Sequence, residues 1–180
     1  MTRTLPDLLH PGLGVVFVGI NPGERSAAVG HYYGHPGNAF WSALAASPLV
    51  DEPVTCADDR RCGERWGIGF TDVVKRVVTD STRVTNVELR AAAPAFRRRI
   101  AYAAPRAVCF TSTRALDAIA PGARRTHGWG RQPVTIEGAA VWLMPSTSGR
   151  AAGFRAHVHA VLRELAASLD RQATSGAHAA

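Results

Sequence analysis

The clearest signal along the chain is a continuous apolar run, Val15-Val16-Phe17-Val18-Gly19-Ile20. It is β-branched and flanked by glycine, which predicts a strand buried on both faces. The run ends in Asn21-Pro22-Gly23, a turn signal. A loop rich in Gly, His and Tyr follows, and Asn38 then stands before an apolar stretch over residues 39–45, which predicts a short helix with an asparagine cap. Residues 51–66 are charged and irregular and read as a surface loop, after which residues 67–72 return to the core. Thr85-Asn86-Val87-Glu88 has capping-box spacing and opens a helix. Pro94 is expected to break that helix and to begin a second one, with Phe96, Ile100 and Ala103 on one face and Pro105 as its stop. Residues 107–111 form a second buried strand, 113–119 a helix, and 134–136 and 140–144 two strands around a turn at Gly138. Phe154, Val158, Val161, Leu162, Leu165 and Leu169 make one stripe at helical spacing, so the last element is an amphipathic helix. From about residue 173 the chain is Ala, Ser, Gly and His and is expected to be a disordered tail, leaving 1–172 as a single domain without internal repeats.

Strands alternating with helices predict an α/β fold, a three-layer α/β/α sandwich around a short, mostly parallel sheet. In such sheets ligands bind outside the carboxyl ends of the strands. Asn21, Thr111 and the segment after Met144 are thereby brought to one edge of the molecule.

Composition narrows the partners. The 180 residues are 46% hydrophobic and 19% charged, a globular balance. The formal net charge is +7 and the basic residues are arginine except for Lys75. Such a surplus favours a polyanion such as nucleic acid, because arginine stacks and forks onto bases and phosphates. An Arg- and Ala-rich genome would also make a basic chain, and that explanation stays open. Cys56, Cys62 and Cys109 are too few for a closed disulfide framework or a four-thiolate cluster, and Cys109 reads as core. The chain shows neither a basic-then-apolar leader nor a long apolar run, so the expectation is a reduced, cytoplasmic protein with no membrane segment.

Three segments carry candidate chemistry. In Gly19-Ile20-Asn21-Pro22-Gly23 the glycines admit a close ligand, and the Asn21 amide has both a donor and an acceptor with which to hold a water. Met144-Pro145-Ser146-Thr147-Ser148-Gly149-Arg150 offers hydroxyls and backbone amides to phosphate oxygens, and an arginine able to enter a base stack. The segment from His31 to Trp41 follows the first loop, and Tyr33 could stack on a planar base. Taken singly, the first is equally a structural turn and the second a polar loop that caps a helix. His31 and His35 lack a third ligand, and no metal is assigned.

Taken together, the three segments resemble the mismatch-specific uracil-DNA glycosylases, a family that includes the thymine-DNA glycosylases. The resemblance runs from about Val15 to Leu169. It rests on Gly-Ile-Asn-Pro-Gly, on Tyr-Gly-His-Pro-Gly-Asn-Ala-Phe-Trp at the expected distance, on Met-Pro-Ser-Thr-Ser-Gly-Arg, and on Gly67-Ile68-Gly69-Phe70-Thr71-Asp72 between them. It implies the uracil-DNA glycosylase fold and a set of roles. Asn21 would position the attacking water, Tyr33 would lie under the flipped base and Ile20 would wall the pocket. Ser146, Ser148 and Gly149 would hold phosphates, with Arg150 at the position that enters the vacated stack. Asp72 stands where some relatives carry Asn or Lys. It could contact the base, act as a second general base, or be a helix-capping surface residue. Thr111-Ser112-Thr113 departs from relatives that have Asn or Gly there.

The implied activity is monofunctional, hydrolytic removal of uracil from G·U-type mispairs in double-stranded DNA, the first step of base excision repair. Thymine or other damaged bases could be further substrates. No cofactor or metal is expected, and nothing calls for more than a monomer. Two alternatives remain: a broader uracil enzyme acting also on A·U pairs and single strands, and a DNA-binding module with weakened chemistry. A nucleotide-binding α/β enzyme is disfavoured, because the loop after the first strand has neither Gly-x-Gly-x-x-Gly nor a Walker pattern.

Overall fold

The structure, a computed structural model, describes residues 4–123 and 128–177. Five strands make one sheet: β1 (Val15–Gly19), β2 (Ile68–Asp72), β3 (Ala107–Phe110), β4 (Gly130–Ile136) and β5 (Ala139–Leu143). Their order is β2-β1-β3-β5-β4. β1 runs parallel to β2 and β3, and β3 parallel to β5; β4 alone is antiparallel, paired to β5. The helices are α1 (Glu24–Val29), α2 (Phe40–Ala45), α3 (Cys62–Trp66), α4 (Asn86–Ala103), α5 (Thr113–Ile119) and α6 (Arg155–Ala177).

The pleat sorts alternate side chains to opposite faces of the sheet. Val15, Phe17, Ile68, Phe70, Cys109 and Trp142 pack on one side with Phe40 and Leu44 of α2, Cys62 of α3, and Val158, Leu162 and Leu165 of α6. Val16, Val18, Val108, Phe110, Val141 and Leu143 pack on the other with Leu89, Phe96 and Ile100 of α4 and Leu116 and Ile119 of α5. Both faces are therefore covered, which is why the inner strands read as unbroken apolar runs rather than as alternations. The result is the α/β/α sandwich that the alternation of elements predicts.

Several local expectations need correction. Residues 51–66 are not an irregular surface loop: they hold a 3-10 turn (Cys56–Asp58) and helix α3. Asp59, between the two, is 1% exposed. Its carboxylate accepts from the Tyr32 amide at 2.9 Å and contacts His31 Nδ1 at 2.9 Å. A charged side chain deep in the fold offers no hydropathy signal, so its neighbours read as solvated. Pro94 does not divide α4, which runs through it unbroken from Asn86 to Ala103. Pro94 is exposed, so water can satisfy the Arg90 carbonyl that a proline nitrogen leaves without a donor. Thr85 caps α4 as expected, its Oγ1 accepting from the Glu88 amide at 3.1 Å, while the Glu88 carboxylate is bonded to Arg76. At α2 the Asn38 side chain accepts from the Phe40 amide at 2.9 Å, although Ala39 occupies the cap position itself. Helix α6 continues to Ala177, past the point where a tail is expected, and 178–180 lie outside the described residues.

The sheet has two differently finished edges. On β2, Leu8 of the N-terminal segment forms an antiparallel bridge to Phe70, with amide-to-carbonyl bonds of 2.9 and 3.1 Å in the two directions. On β4, Pro133 lies within a register shift between Arg131 and Thr135. Between these edges the carboxyl ends of β1, β2, β3 and β5 open on one side, and chain direction across the sheet reverses at β1 and β3. That crevice is where doubly wound sheets bind ligands.

Asp59→Ala removes the acceptor of the buried Tyr32 amide, so it should lower the unfolding free energy by about 1–3 kcal/mol. Urea denaturation followed by circular dichroism measures this, and an unchanged midpoint would deny Asp59 its anchoring role.

Candidate active site

The turn after β1 is built around the Asn21 side chain. Its amide nitrogen donates to Pro22 O at 2.9 Å and to Val78 O at 2.8 Å. Only the NH₂ end of an amide can serve two carbonyls, which fixes the orientation of the group. Its Oδ1 is buried and has no hydrogen-bond partner among the described residues. The Val78 amide bonds back to Pro22 O at 3.1 Å, so residue 78 and the turn are stapled in both directions.

Asp72 ends β2, beside Gly19 in the register of the sheet. A Cβ at position 19 would collide with Asp72 Oδ1, so glycine is required there by close approach. The Asp72 side chain is buried, and its Oδ2 has no hydrogen-bond partner. Burial pushes its carboxyl up to about 7; nearby Asp7 pushes the same way, and Lys75 and Arg99 oppose it. A carboxyl in this state exchanges a proton near neutral pH, the condition a general base needs.

Tyr33 has a left-handed backbone, with φ of 51°, a conformation that costs a non-glycine residue on the order of 1–3 kcal/mol. Its neighbours hold it there. The Tyr32 amide is taken by Asp59, and the Gly34 amide donates to Ser26 Oγ at 3.0 Å. The Tyr33 ring stacks on Phe40 with centroids 4.0 Å apart and planes at 16°. Phe40 in turn meets Phe17 edge-on at 5.0 Å, so the aromatic core extends without a break up to the cleft. The Tyr33 hydroxyl is buried without a partner, beside a Thr111 hydroxyl that donates to Val18 O at 3.2 Å. Burial and the Asp72 carboxyl push the Tyr33 phenol above its ordinary range, so it stays neutral.

After β5 the chain runs through Pro145 into an exposed loop. Ser146 Oγ and Ser148 Oγ lie 3.1 Å apart, and Ser146 Oγ also accepts from the Ser148 amide at 3.3 Å. Thr147 between them is buried, and its carbonyl accepts from the Ala39 amide at 2.9 Å, tying the loop to the start of α2. Gly149 begins a 3-10 turn, Gly149–Phe154. The Arg150 side chain is 83% exposed and stands 3.8 Å from Asp80 on the far wall.

All eight residues singled out in the sequence line one open cleft: Ile20, Asn21, Tyr33, Asp72, Ser146, Ser148, Gly149 and Arg150. Of the five buried polar atoms without a partner among the described residues, Asn21 Oδ1, Tyr33 Oη and Asp72 Oδ2 belong to it. Buried polar groups are otherwise almost always bonded, so three unmet ones in a single cleft mark a place for a polar ligand. Sequence reasoning missed one wall of this cleft, residues 78–82. That wall is fixed by Arg114 of α5, whose guanidinium donates to Ser81 O at 3.2 Å and to Val84 O at 2.5 Å. An Asp-x-Thr turn, with Asp80 Oδ1 accepting from the Thr82 amide at 3.1 Å, was the local signal available.

Comparison with known proteins agrees with this geometry. Residues 6–168 match the Uracil DNA glycosylase superfamily. The fold is similar to a solution structure from Methanosarcina acetivorans whose own assignment as a uracil DNA glycosylase is provisional. The TM-score is 0.59 at 20% sequence identity, over 91% of this chain and 98% of the other. With the family match spanning nearly the whole chain and the fold in agreement with it, this protein belongs to the uracil DNA glycosylase superfamily.

Proposed function

We propose that this protein is a monofunctional DNA glycosylase that flips uracil out of G·U-type mispairs and hydrolyses its bond to deoxyribose. The observation that carries the reading is the pair of unpartnered acceptors, Asn21 Oδ1 and Asp72 Oδ2, buried in one cleft of a uracil DNA glycosylase superfamily chain.

A base inside a duplex is out of reach of such a cleft and must leave the stack first. Unpairing costs least for a mispaired base, which favours uracil opposite guanine over uracil opposite adenine. The exposed loop of Ser146, Ser148 and Gly149 supports a role in gripping the phosphates on either side. Arg150, held by a single ion pair at 3.8 Å, is free to turn into the gap in the duplex. The flipped base would lie over Tyr33, whose other face is occupied by Phe40.

Bond cleavage then proceeds through a sugar with oxocarbenium character. The C1′–N bond breaks and its electron pair leaves with the base. A water oxygen bonds to C1′ and gives up a proton. Asn21 Oδ1 accepts a hydrogen bond from that water and aims it, and the Asp72 carboxylate takes the proton. A backbone amide of the Ile20–Asn21 turn, if it reached the departing oxyanion, would stabilise it by a hydrogen bond that strengthens as charge develops. The sugar cation is itself a strong electrophile, so one weak base suffices.

The defining test is protein in excess over labelled duplexes containing G·U, A·U or G·T, and over single-stranded uracil, with alkali revealing abasic sites. G·U cleaved well ahead of the others is the expected result. Equal cleavage of every uracil context would replace this reading by a broad uracil enzyme, and DNA binding without abasic sites by a binding module.

Asn21→Ala should lower the single-turnover rate on G·U by on the order of 10²–10³-fold, the scale seen when one positioning group is lost. Affinity for an abasic duplex should persist, and a wild-type rate would remove Asn21 from the chemistry.

The raised Asp72 carboxyl also has a consequence for stability. In the unfolded chain it titrates near 3.8, in the folded protein near 7. Between those values the folded state keeps a proton that the unfolded state releases, so stability falls as pH rises toward 7 and is level above it. Asp72→Asn escapes that cost. It should stabilise the protein at pH 8 by about 2–4 kcal/mol and much less at pH 4, while slowing base release. Melting curves at the two pH values check this, and an equal change at both would contradict the buried, proton-exchanging carboxyl.

A further inference from the structure

Behind Asp72 lies a half-buried polar cluster that the scheme above leaves unused. Asp7, from the N-terminal segment, pairs with Lys75 Nζ at 2.9 Å and with Arg99 Nε at 3.3 Å. It also accepts from Thr71 Oγ1 at 2.6 Å. The Lys75 ammonium donates to Tyr32 Oη at 3.2 Å and stands 5.8 Å from the centre of that ring. Tyr32 Oη donates onward to Pro6 O at 3.0 Å, and Thr4 Oγ1 bonds Lys75 O at 2.6 Å. Arg99 reaches across from α4 and donates to the backbone oxygen of Asp72 at 2.7 Å.

The charges do not cancel within this cluster. Lys75 and Arg99 are two cations and Asp7 is one anion, so one positive charge is left over, and the Arg99 contact ties the cluster to the backbone of Asp72. The charged and titratable groups that act on or through Asp72 come from four parts of the chain. They are Asp7 from the N-terminal segment, Tyr32 and Tyr33 from the loop after α1, Lys75 from the chain after β2, and Arg99 from α4. β1 offers only Gly19 at this point. Both tyrosines stay neutral, so the balance lies among Asp7, Lys75 and Arg99.

We propose that Lys75 is a positioning residue for base release: held beneath the pocket by Asp7 and Tyr32, its ammonium supplies the positive charge against which the Asp72 carboxylate forms before it takes a proton from water. The proposal rests on the reading of Asp72 as the base. It accounts for why the single lysine of an arginine-rich chain is placed here. A compact ammonium can bond Asp7 and Tyr32 at once beneath the pocket, where a planar fork matches a different geometry. The opposing effects on Asp72 have the required signs, downward from Lys75 and Arg99 and upward from Asp7.

The test is a carbon-13 carboxyl titration of aspartate-labelled protein, with Asp72 identified by the signal lost in Asp72→Asn. Lys75→Met should move the Asp72 midpoint up by about one pH unit, the scale of an opposite charge removed from a buried acid. Asp7→Asn should move it down, and Lys75→Arg, which keeps the charge but not the compact geometry, should leave it between the wild-type and Lys75→Met positions. Both Lys75→Met and Asp7→Asn break the same ion pair, so damage to the structure would shift them alike, whereas electrostatic control shifts them oppositely. The pH dependence of single-turnover base release should follow the same order. An unmoved midpoint in Lys75→Met, or two shifts of the same sign, would overturn the proposal, as would midpoints that move while the rate profiles do not. The titration needs no substrate. Midpoints that move as expected in a wild-type protein that releases no base would therefore count against the glycosylase reading, not against the coupling.

Discussion

Two carbonyl oxygens, of Pro22 and Val78, converge on the amide nitrogen of Asn21. Much of the cleft follows from that clamp. It forces the side-chain oxygen toward the cavity and locks the turn after β1 to residues 78–82, which Arg114 holds against α5. It also restricts what residue 21 can be. A carboxylate there would put negative charge against two carbonyl dipoles, so the position accepts an amide and repels an acid. A site built this way must find its proton acceptor elsewhere. The nearest strand end offers one, because Gly19 leaves room for the Asp72 carboxylate to lie against β1. On the proposed function, orientation and basicity would be divided between Asn21, in the turn after β1, and Asp72, at the end of β2.

That division has energetic costs, and they fall together. Asp72 is buried without a partner for Oδ2, Tyr33 holds a left-handed backbone and a buried free hydroxyl, and Asn21 Oδ1 is unmet. Such costs persist where the surroundings over-determine the geometry. Here the surroundings are the packed rings of Phe40, Phe17 and Phe70 on one side and the Asp59 carboxylate on the other. The frame spends stability to hold polar atoms out of contact with one another, and a substrate would be what satisfies them.

The parts of this arrangement that were legible in the sequence are those written in adjacent residues. The run of residues 15–20, the Asn-Pro-Gly turn, the Thr85 cap and the loop from Ser146 to Arg150 each carry their own signature. So does the α6 stripe. What escaped was held by distant partners. Asp59 reads as a loop residue because its partners, His31 and Tyr32, lie more than twenty-five positions away. The wall at residues 78–82 is shaped by Asn21 and Arg114, and its own sequence shows only a turn. Pro94 misled for a different reason: proline propensity assumes that the lost hydrogen bond matters, and on the solvent side of α4 it matters least. For Asp72 the residues alone left three roles open, and only burial beside Gly19 removes the surface cap from among them.

The two edges of the sheet have a consequence for how molecules of this protein behave toward one another. A parallel sheet with bare edges is a template onto which another chain can add a strand. β2 has its outward-facing groups at Phe70 occupied by Leu8, and β4 presents a proline and a broken register where a partner strand would need a donor and a regular ladder. The N-terminal segment that sets Asp7 behind Asp72 therefore also acts as a selvedge, closing the place at Phe70 where a strand from another molecule would begin to pair.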